Sequence, residues 1–185
     1  MIRGLVRLGV IGAATAWAID RVLRSRAAGR PPPAVHALIV IDAPVERVWA
    51  EVADIEGQPR WMTDMKSVRM DPPGGGGVGA RGVASVRMLG ITVEDPVTVT
   101  EFDPPTRYAV RHEGVFTGTG RMVLEPGADG TTTILRWEEA LVAPVVPHFA
   151  AVVTAPLFRS VFQRDLERLR DLVEGSSASD AKPAA

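Results

Sequence analysis

Near the C-terminus apolar residues recur every three or four positions: Phe158, Phe162, Leu166, Leu169 and Val173, with Leu157, Val161 and Leu172 beside them. That spacing predicts a helix with one buried face, over roughly residues 147–174. The charged residues Arg159, Arg164, Asp165, Glu167, Arg168, Arg170 and Asp171 are read as its other face. Gly175 is expected to cap it, and residues 175–185 are expected to be a disordered tail. A helix carrying two Phe and several Leu on one face needs a large apolar partner.

The pattern between residues 34 and 142 supplies one. Ala34 to Ile41 reads as a first strand. Asp42-Ala-Pro44 ends it, with Pro44 fitting the first turn of a helix whose stripe is Val45, Val48, Trp49 and Val52. A short broken helix follows over 55–62, interrupted by Pro59, and then a strand over 66–70. From Ala80 the signal is all strand: about 80–89, 91–102, 106–113, 116–125 and 131–142. Short connections between successive strands predict an antiparallel meander. Tyr108, Val110 and His112 share one face, as do Phe116, Gly118, Gly120, Met122 and Leu124, and Leu135, Trp137, Glu139 and Leu141. The order of strand, helix pair, meander and long helix predicts an α+β layer plan, one curved sheet wrapped on one helix.

Charge and hydropathy set the N-terminus apart. Residues 1–30 hold six Arg against Asp20, a balance of +5, while residues 34–174 hold 14 basic and 20 acidic side chains, a balance of −6. Residues 1–29 are therefore read as an apolar helix with a basic flank, 30–34 as a Pro-rich linker, and 35–174 as the domain. The uninterrupted apolar run, Leu8 to Ile19, has 12 residues, short of the roughly 20 that a span requires. Residues 4–23 reach that length only by including Arg7, Asp20 and Arg21. Two readings stay open: a membrane anchor (a transmembrane or interfacial helix), or a helix on a soluble domain. If it spans, the Arg cluster at 21–30 puts the domain on the cytoplasmic side; otherwise the protein is expected in the cytoplasm. The net charge of −1 offers no footprint for nucleic acid. With no Cys there is no disulfide framework and no thiolate chemistry.

The segments Ile41-Asp-Ala-Pro-Val-Glu-Arg-Val-Trp49, Ile55-Glu-Gly-Gln-Pro-Arg-Trp61, Val97-Thr-Val-Thr-Glu-Phe-Asp-Pro-Pro-Thr-Arg-Tyr108, Leu124-Glu-Pro126, Asp129-Gly-Thr131 and Arg136-Trp-Glu138 carry a resemblance. The chain resembles the START-like, Bet v 1-like (SRPBCC) superfamily, in particular its polyketide cyclase/dehydrase-like branch. The resemblance implies a helix-grip fold with a cavity between the sheet and the C-terminal helix. It also implies a hydrophobic small molecule or lipid as ligand, and in some members cyclase or dehydratase chemistry. The N-terminal apolar helix departs from the soluble pattern of the superfamily.

Within that frame the cavity-lining candidates are Trp61, Met88, Tyr108, His112, Met122, Trp137, Glu139, Phe158 and Phe162. Met and aromatic side chains serve equally well as solid core. His112 and Glu139 are the candidates for acid–base chemistry. His112 titrates near neutrality, and a carboxylate on the apolar face of its strand must find a partner or shift its pKa. They sit on strands flanking 116–125, so contact between them is left open. No metal and no cofactor is expected: the three His are scattered, and the Gly74–Gly77 run lacks a following Gly-Lys-Ser/Thr. A serine nucleophile has no Gly-x-Ser-x-Gly to support it.

Overall fold

The computed structural model describes residues 2–88 and 90–180; the side chains of residues 2–9, 88 and 176–180 lie outside that description. Helix α1 (Ile2–Ala27) is followed by β1 (Val35–Ile41), α2 (Val45–Ala53), a 3-10 turn (Ile55–Arg60), β2 (Met65–Asp71), β3 (Arg81–Met88), β4 (Ile91–Asp103), β5 (Arg107–Glu113), β6 (Thr117–Pro126), β7 (Thr133–Val142) and α3 (Pro147–Asp180). The strands form one antiparallel sheet in the order β1-β7-β6-β5-β4-β3-β2. Register shifts at Met65/Ser67 and Val99/Glu101 add local twist and bend. The curved α+β sheet with a long C-terminal helix is the helix-grip arrangement.

Alternation explains the core. On β1, Val35, Ala37, Ile39 and Ile41 point inward and are buried, while His36, Leu38 and Val40 face out. α3 packs against β1 and β7, and its Leu166, Leu169 and Val173 are fully buried. Each such side chain contributes about 1.5–3 kcal/mol by leaving water. Trp49 packs edge-on against Phe102 with ring centroids 5.3 Å apart. Thr133 Oγ1 donates to the Ala43 carbonyl at 2.7 Å, which ties the start of β7 to the entry of α2. Pro44 lies one position earlier than the pattern predicts: it precedes α2, and its carbonyl accepts from the amides of Arg47 and Val48.

Two features of α3 differ from expectation. α3 continues to Asp180, past Gly175. A helical Gly costs only about 1 kcal/mol relative to Ala, and the next residue that forbids a helix is Pro183. Residues 181–185 of the expected tail lie outside the described residues. Asp165, read as part of the polar face of α3, is buried. Its Oδ1 accepts from the Thr63 amide at 2.9 Å and the Thr63 hydroxyl at 2.7 Å. This latches the segment after the 3-10 turn onto α3.

The transmembrane reading of residues 4–23 is not supported. Among the described residues, no helix is long and apolar enough to cross a membrane. Asp20, near the end of the apolar run, caps another helix. α1 turns Ala16, Asp20, Leu23 and Ala27 toward the domain and packs on α3. Asp20 Oδ1 accepts from the backbone amides of His148 (2.8 Å) and Phe149 (3.1 Å), and Oδ2 accepts from Arg24 at 2.9 Å. The residue preceding α3, Val146, has φ 46° and offers no side-chain acceptor. Asp20 supplies from a distant helix the acceptor that a cap residue normally provides, and its charge faces the positive end of the α3 dipole.

Candidate functional site

A cavity of about 420 Å³ lies between the sheet and α3. Its walls are largely apolar, with Met65, Val86, Val93, Val97, Val110, Met122, Leu141, Phe158, Val161 and Phe162 among them. The exposed lining residues Arg87, Gly90, Glu94, Val115, Leu157 and Arg164 mark where it opens. On the α3 side, Phe158 stacks on Phe162 at 6.0 Å, and Phe162 lies 4.5 Å from Trp137. These contacts hold the helix wall against β7.

Strand alternation and two glycines place a polar cluster in this apolar wall. His112 on β5 pairs with Gly118 on β6, and Gly120 pairs with Glu139 on β7. Inward positions 118 and 120 carry no side chain, so the side chains of His112 and Glu139 meet over the intervening strand. A Cβ at Gly120 would stand 2.7 Å from Glu139 Oε2 and 3.2 Å from Oε1. The glycine is what lets the carboxylate lie there. Asp95 on β4 completes the cluster from the other side, two residues before Val97, the β4 partner of His112.

The distances define its chemistry. His112 Nδ1 donates to Asp95 Oδ2 at 2.6 Å. Nε2 comes within 2.9 Å of Glu139 Oε1, yet neither of these two atoms makes a well-directed hydrogen bond. Trp137 Nε1 donates to Glu139 Oε2 at 2.9 Å. Burial pulls the His112 pKa down, but the hydrogen bonds and charges of Asp95 and Glu139 outweigh it and raise it to about 10. The ring is therefore an imidazolium at neutral pH. Burial pushes the Tyr108 hydroxyl up, well beyond its usual range, with Gln58 opposing and Glu139 adding to the rise. Asp95 Oδ1 is buried without a hydrogen-bond partner among the described residues, while Glu139 Oε1 and His112 Nε2 face each other in the 2.9 Å ion pair.

Of the residues singled out from sequence, Tyr108, His112, Met122, Trp137, Glu139, Phe158 and Phe162 line the cavity. Trp61 does not. It is fully buried behind Trp137, with ring centroids 6.2 Å apart, because the 3-10 turn folds it under the sheet rather than into the opening. Met88 lies on β3, and its side chain is outside the described residues. Sequence reasoning misses Asp95, although it carries the same signal as Glu139: an acid among Val93, Val97 and Val99 on the inward face of a strand. Asp165 and Gln58 also reach the wall.

Comparison with known proteins agrees with this geometry. Solved structures with the same fold include a Thermus thermophilus protein at TM-score 0.63 and 24% identity, covering 78% of this chain and 99% of that one. A Nitrosospira multiformis protein aligns at TM-score 0.59 and 24% identity, covering 79% and 99%. A Deinococcus radiodurans protein aligns at 0.57 and 22%, covering 77% and 98%. At these identities the likeness is one of fold. No curated protein matches the chain. The family model for polyketide cyclase / dehydrase and lipid transport matches residues 32–174, from the Pro-rich linker to the last buried turn of α3, and the chain belongs to that family, within the SRPBCC superfamily that its sequence resembles.

Proposed function

We propose that the domain binds a hydrophobic small molecule or lipid in the cavity between the sheet and α3. The observation that carries this reading is the cavity itself: about 420 Å³, apolar-walled, with a few converging polar groups. That size and lining suit a small-molecule site. The family description supports it, since it joins cyclase or dehydrase activity with lipid transport. Native mass spectrometry of gently purified full-length protein, with extraction and identification of what co-purifies, tests it. A hydrophobic compound near one-to-one is expected. A protein that carries nothing and takes up no added hydrophobe contradicts the reading.

The same reading includes contact with a membrane surface, where such a ligand would be collected. α1 exposes Val10, Ile11, Trp17 and Val22, α3 exposes Val152, Val153 and Leu157, and Leu157 also lines the opening of the cavity. The +5 balance of residues 1–30 suits a helix lying in an anionic interface. Flotation with phosphatidylglycerol vesicles, but not with phosphatidylcholine vesicles, is the expected result. Flotation with neither removes this part of the reading.

A second reading, a cyclase- or dehydratase-type enzyme using the same cavity, is favoured by one observation: His112 held between two carboxylates at the wall. The imidazolium there is a proton donor to a bound substrate, and the carboxylates hold it in place. The cavity would supply most of the effect by folding the substrate. Turnover that survives both His112→Gln and Glu139→Gln contradicts the reading.

A further inference from the structure

A second, smaller hollow of about 70 Å³ lies beside the main cavity, and the two share Phe116, Glu139, Leu141, Phe158 and Phe162 as lining. The sequence of α3 explains why it exists. Residues three and four apart share a helix face. From Phe162 toward the N-terminus that face carries Phe158, then Thr154, Ala151 and Ala150. Two large rings give way to three small side chains, which line the hollow. Ala143, just past β7, and Pro33 and Val35 at the end of the linker complete its lining. The wall between the two spaces belongs to a row of rings. Phe158 stacks on Phe162 at 6.0 Å with the planes 9° apart, and Phe162 lies 4.5 Å from Trp137. The two Phe are not held alike. Phe162 has an aromatic ring on either side and packs against the buried core. Phe158 stands at the outer end of the row, and Phe162 is its ring neighbour among the described residues. Truncating Phe158 therefore opens the wall without emptying the core.

We infer that Phe158 is the stop that sets how long a hydrophobic ligand the cavity accepts, and that the hollow behind it is the continuation of the cavity that this ring closes off. An alkyl chain lying between the sheet and α3 ends against the ring. With the ring removed, the chain extends past Thr154 and Ala151 toward Pro33. Each methylene that finds apolar surroundings raises affinity about fourfold, and a methylene beyond the stop gains nothing. The inference rests on the binding reading above. It deepens that reading by naming the residue that selects chain length.

A series of straight-chain alcohols from octanol to tetradecanol, each displacing the neutral fluorescent reporter N-phenyl-1-naphthylamine from the full chain, tests it. Affinities are corrected for each variant's own affinity for the reporter. In the unaltered protein, affinity is expected to climb about fourfold per methylene up to a break and then to level off. In Phe158→Ala the break should move to chains longer by about two carbons, so that the alcohol two carbons past the original break gains about tenfold. In the double variant Phe158→Ala/Ala151→Leu, the leucine fills the hollow from its far side, and the break should return to its original length. Phe158→Leu and Ala151→Val stand in where either substitution prevents folding. A break that does not move in Phe158→Ala overturns the inference. So does a longer break that persists in the double variant, since the space opened would then lie elsewhere, and so does affinity that climbs without a break in the unaltered protein. All three leave the cavity a binding site. A reporter that does not bind saturably overturns the binding reading and this inference with it.

Discussion

Asp20 and Glu139 are both carboxylates buried to a similar depth, at 3% and 7% exposure, and their surroundings differ in kind. Asp20 sits where α1 meets α3 and receives two backbone amides and an Arg guanidinium. Burial raises its pKa, but the amides of Phe149 and His148, with Arg24, outweigh it and hold the carboxyl below the usual range. Glu139 receives one indole N–H and faces an imidazolium from a poor angle. Its remaining oxygen is the one that lies 2.9 Å from the His112 ring. A fully partnered buried carboxylate fastens two elements together. One paired with an imidazolium in a cavity wall puts a charged cluster beside a candidate site. The difference lies in the partners, and depth of burial alone does not reveal it.

That contrast can be broken most severely at Gly120. Gly120→Val puts a branched side chain where the Glu139 carboxylate lies. It should weaken binding of the fluorescent hydrophobic probe N-phenyl-1-naphthylamine by more than about tenfold, the scale of a misplaced polar group in a buried site, as read by fluorescence titration. Unchanged affinity would mean that the cluster takes no part in binding. The pair Asp20→Ala and Glu139→Gln then separates the two roles. Asp20→Ala should lower Tm by a few degrees through loss of the α3 cap and leave probe affinity unchanged. Glu139→Gln should change Tm less and weaken probe binding. Equal effects of the two substitutions on binding would erase the contrast.

The smallest and most diagnostic effect is in pH. The folded pKa of His112, about 10, lies above its ordinary 6.5, so the imidazolium stabilises the fold fully below pH 6.5 and ceases to do so as pH rises through about 10. Asp20 has the opposite sign: its folded pKa lies below 3.8, so its contribution is present above that value and is lost as pH falls through the folded pKa. Urea midpoints should therefore decline between pH 7 and 10, and His112→Gln should flatten that limb while Asp20→Ala leaves it intact. An alkaline limb that persists in His112→Gln would show that the cluster does not hold a charged ring.

Much of the fold is legible in the residues because period and alternation report burial directly. The spacing from Phe158 to Val173 and the inward sets on β5, β6 and β7 predict the grip, and the wall residues Tyr108, Met122 and Trp137 follow from it. What the pattern does not carry is register. That His112 meets Glu139 depends on Gly118 and Gly120 lying between them, and one sequence does not state which residues of neighbouring strands face each other. Asp95 is within reach of the rule that finds Glu139, an acid at an inward position. Asp20 is not: its partners lie about 130 residues away, and beside an apolar run it reads as the end of a membrane segment. Trp61 shows the converse. A tryptophan near a turn suggests a rim, but the 3-10 geometry turns it into the core.

Methyl-resolved NMR titration of the full chain with 1-decanol tests the central claim most directly, because methyl groups report from the cavity and from the exposed apolar surface at once. The account predicts shifts at Met65, Val86, Val93, Met122 and Leu141 that saturate at one equivalent, together with a change at the His112 ring nitrogens. Shifts confined to Val10, Ile11, Val22 and Val152, rising without saturation, would contradict it: the hydrophobe would then be adsorbing to the exposed faces of α1 and α3, and the cavity would not be a binding site.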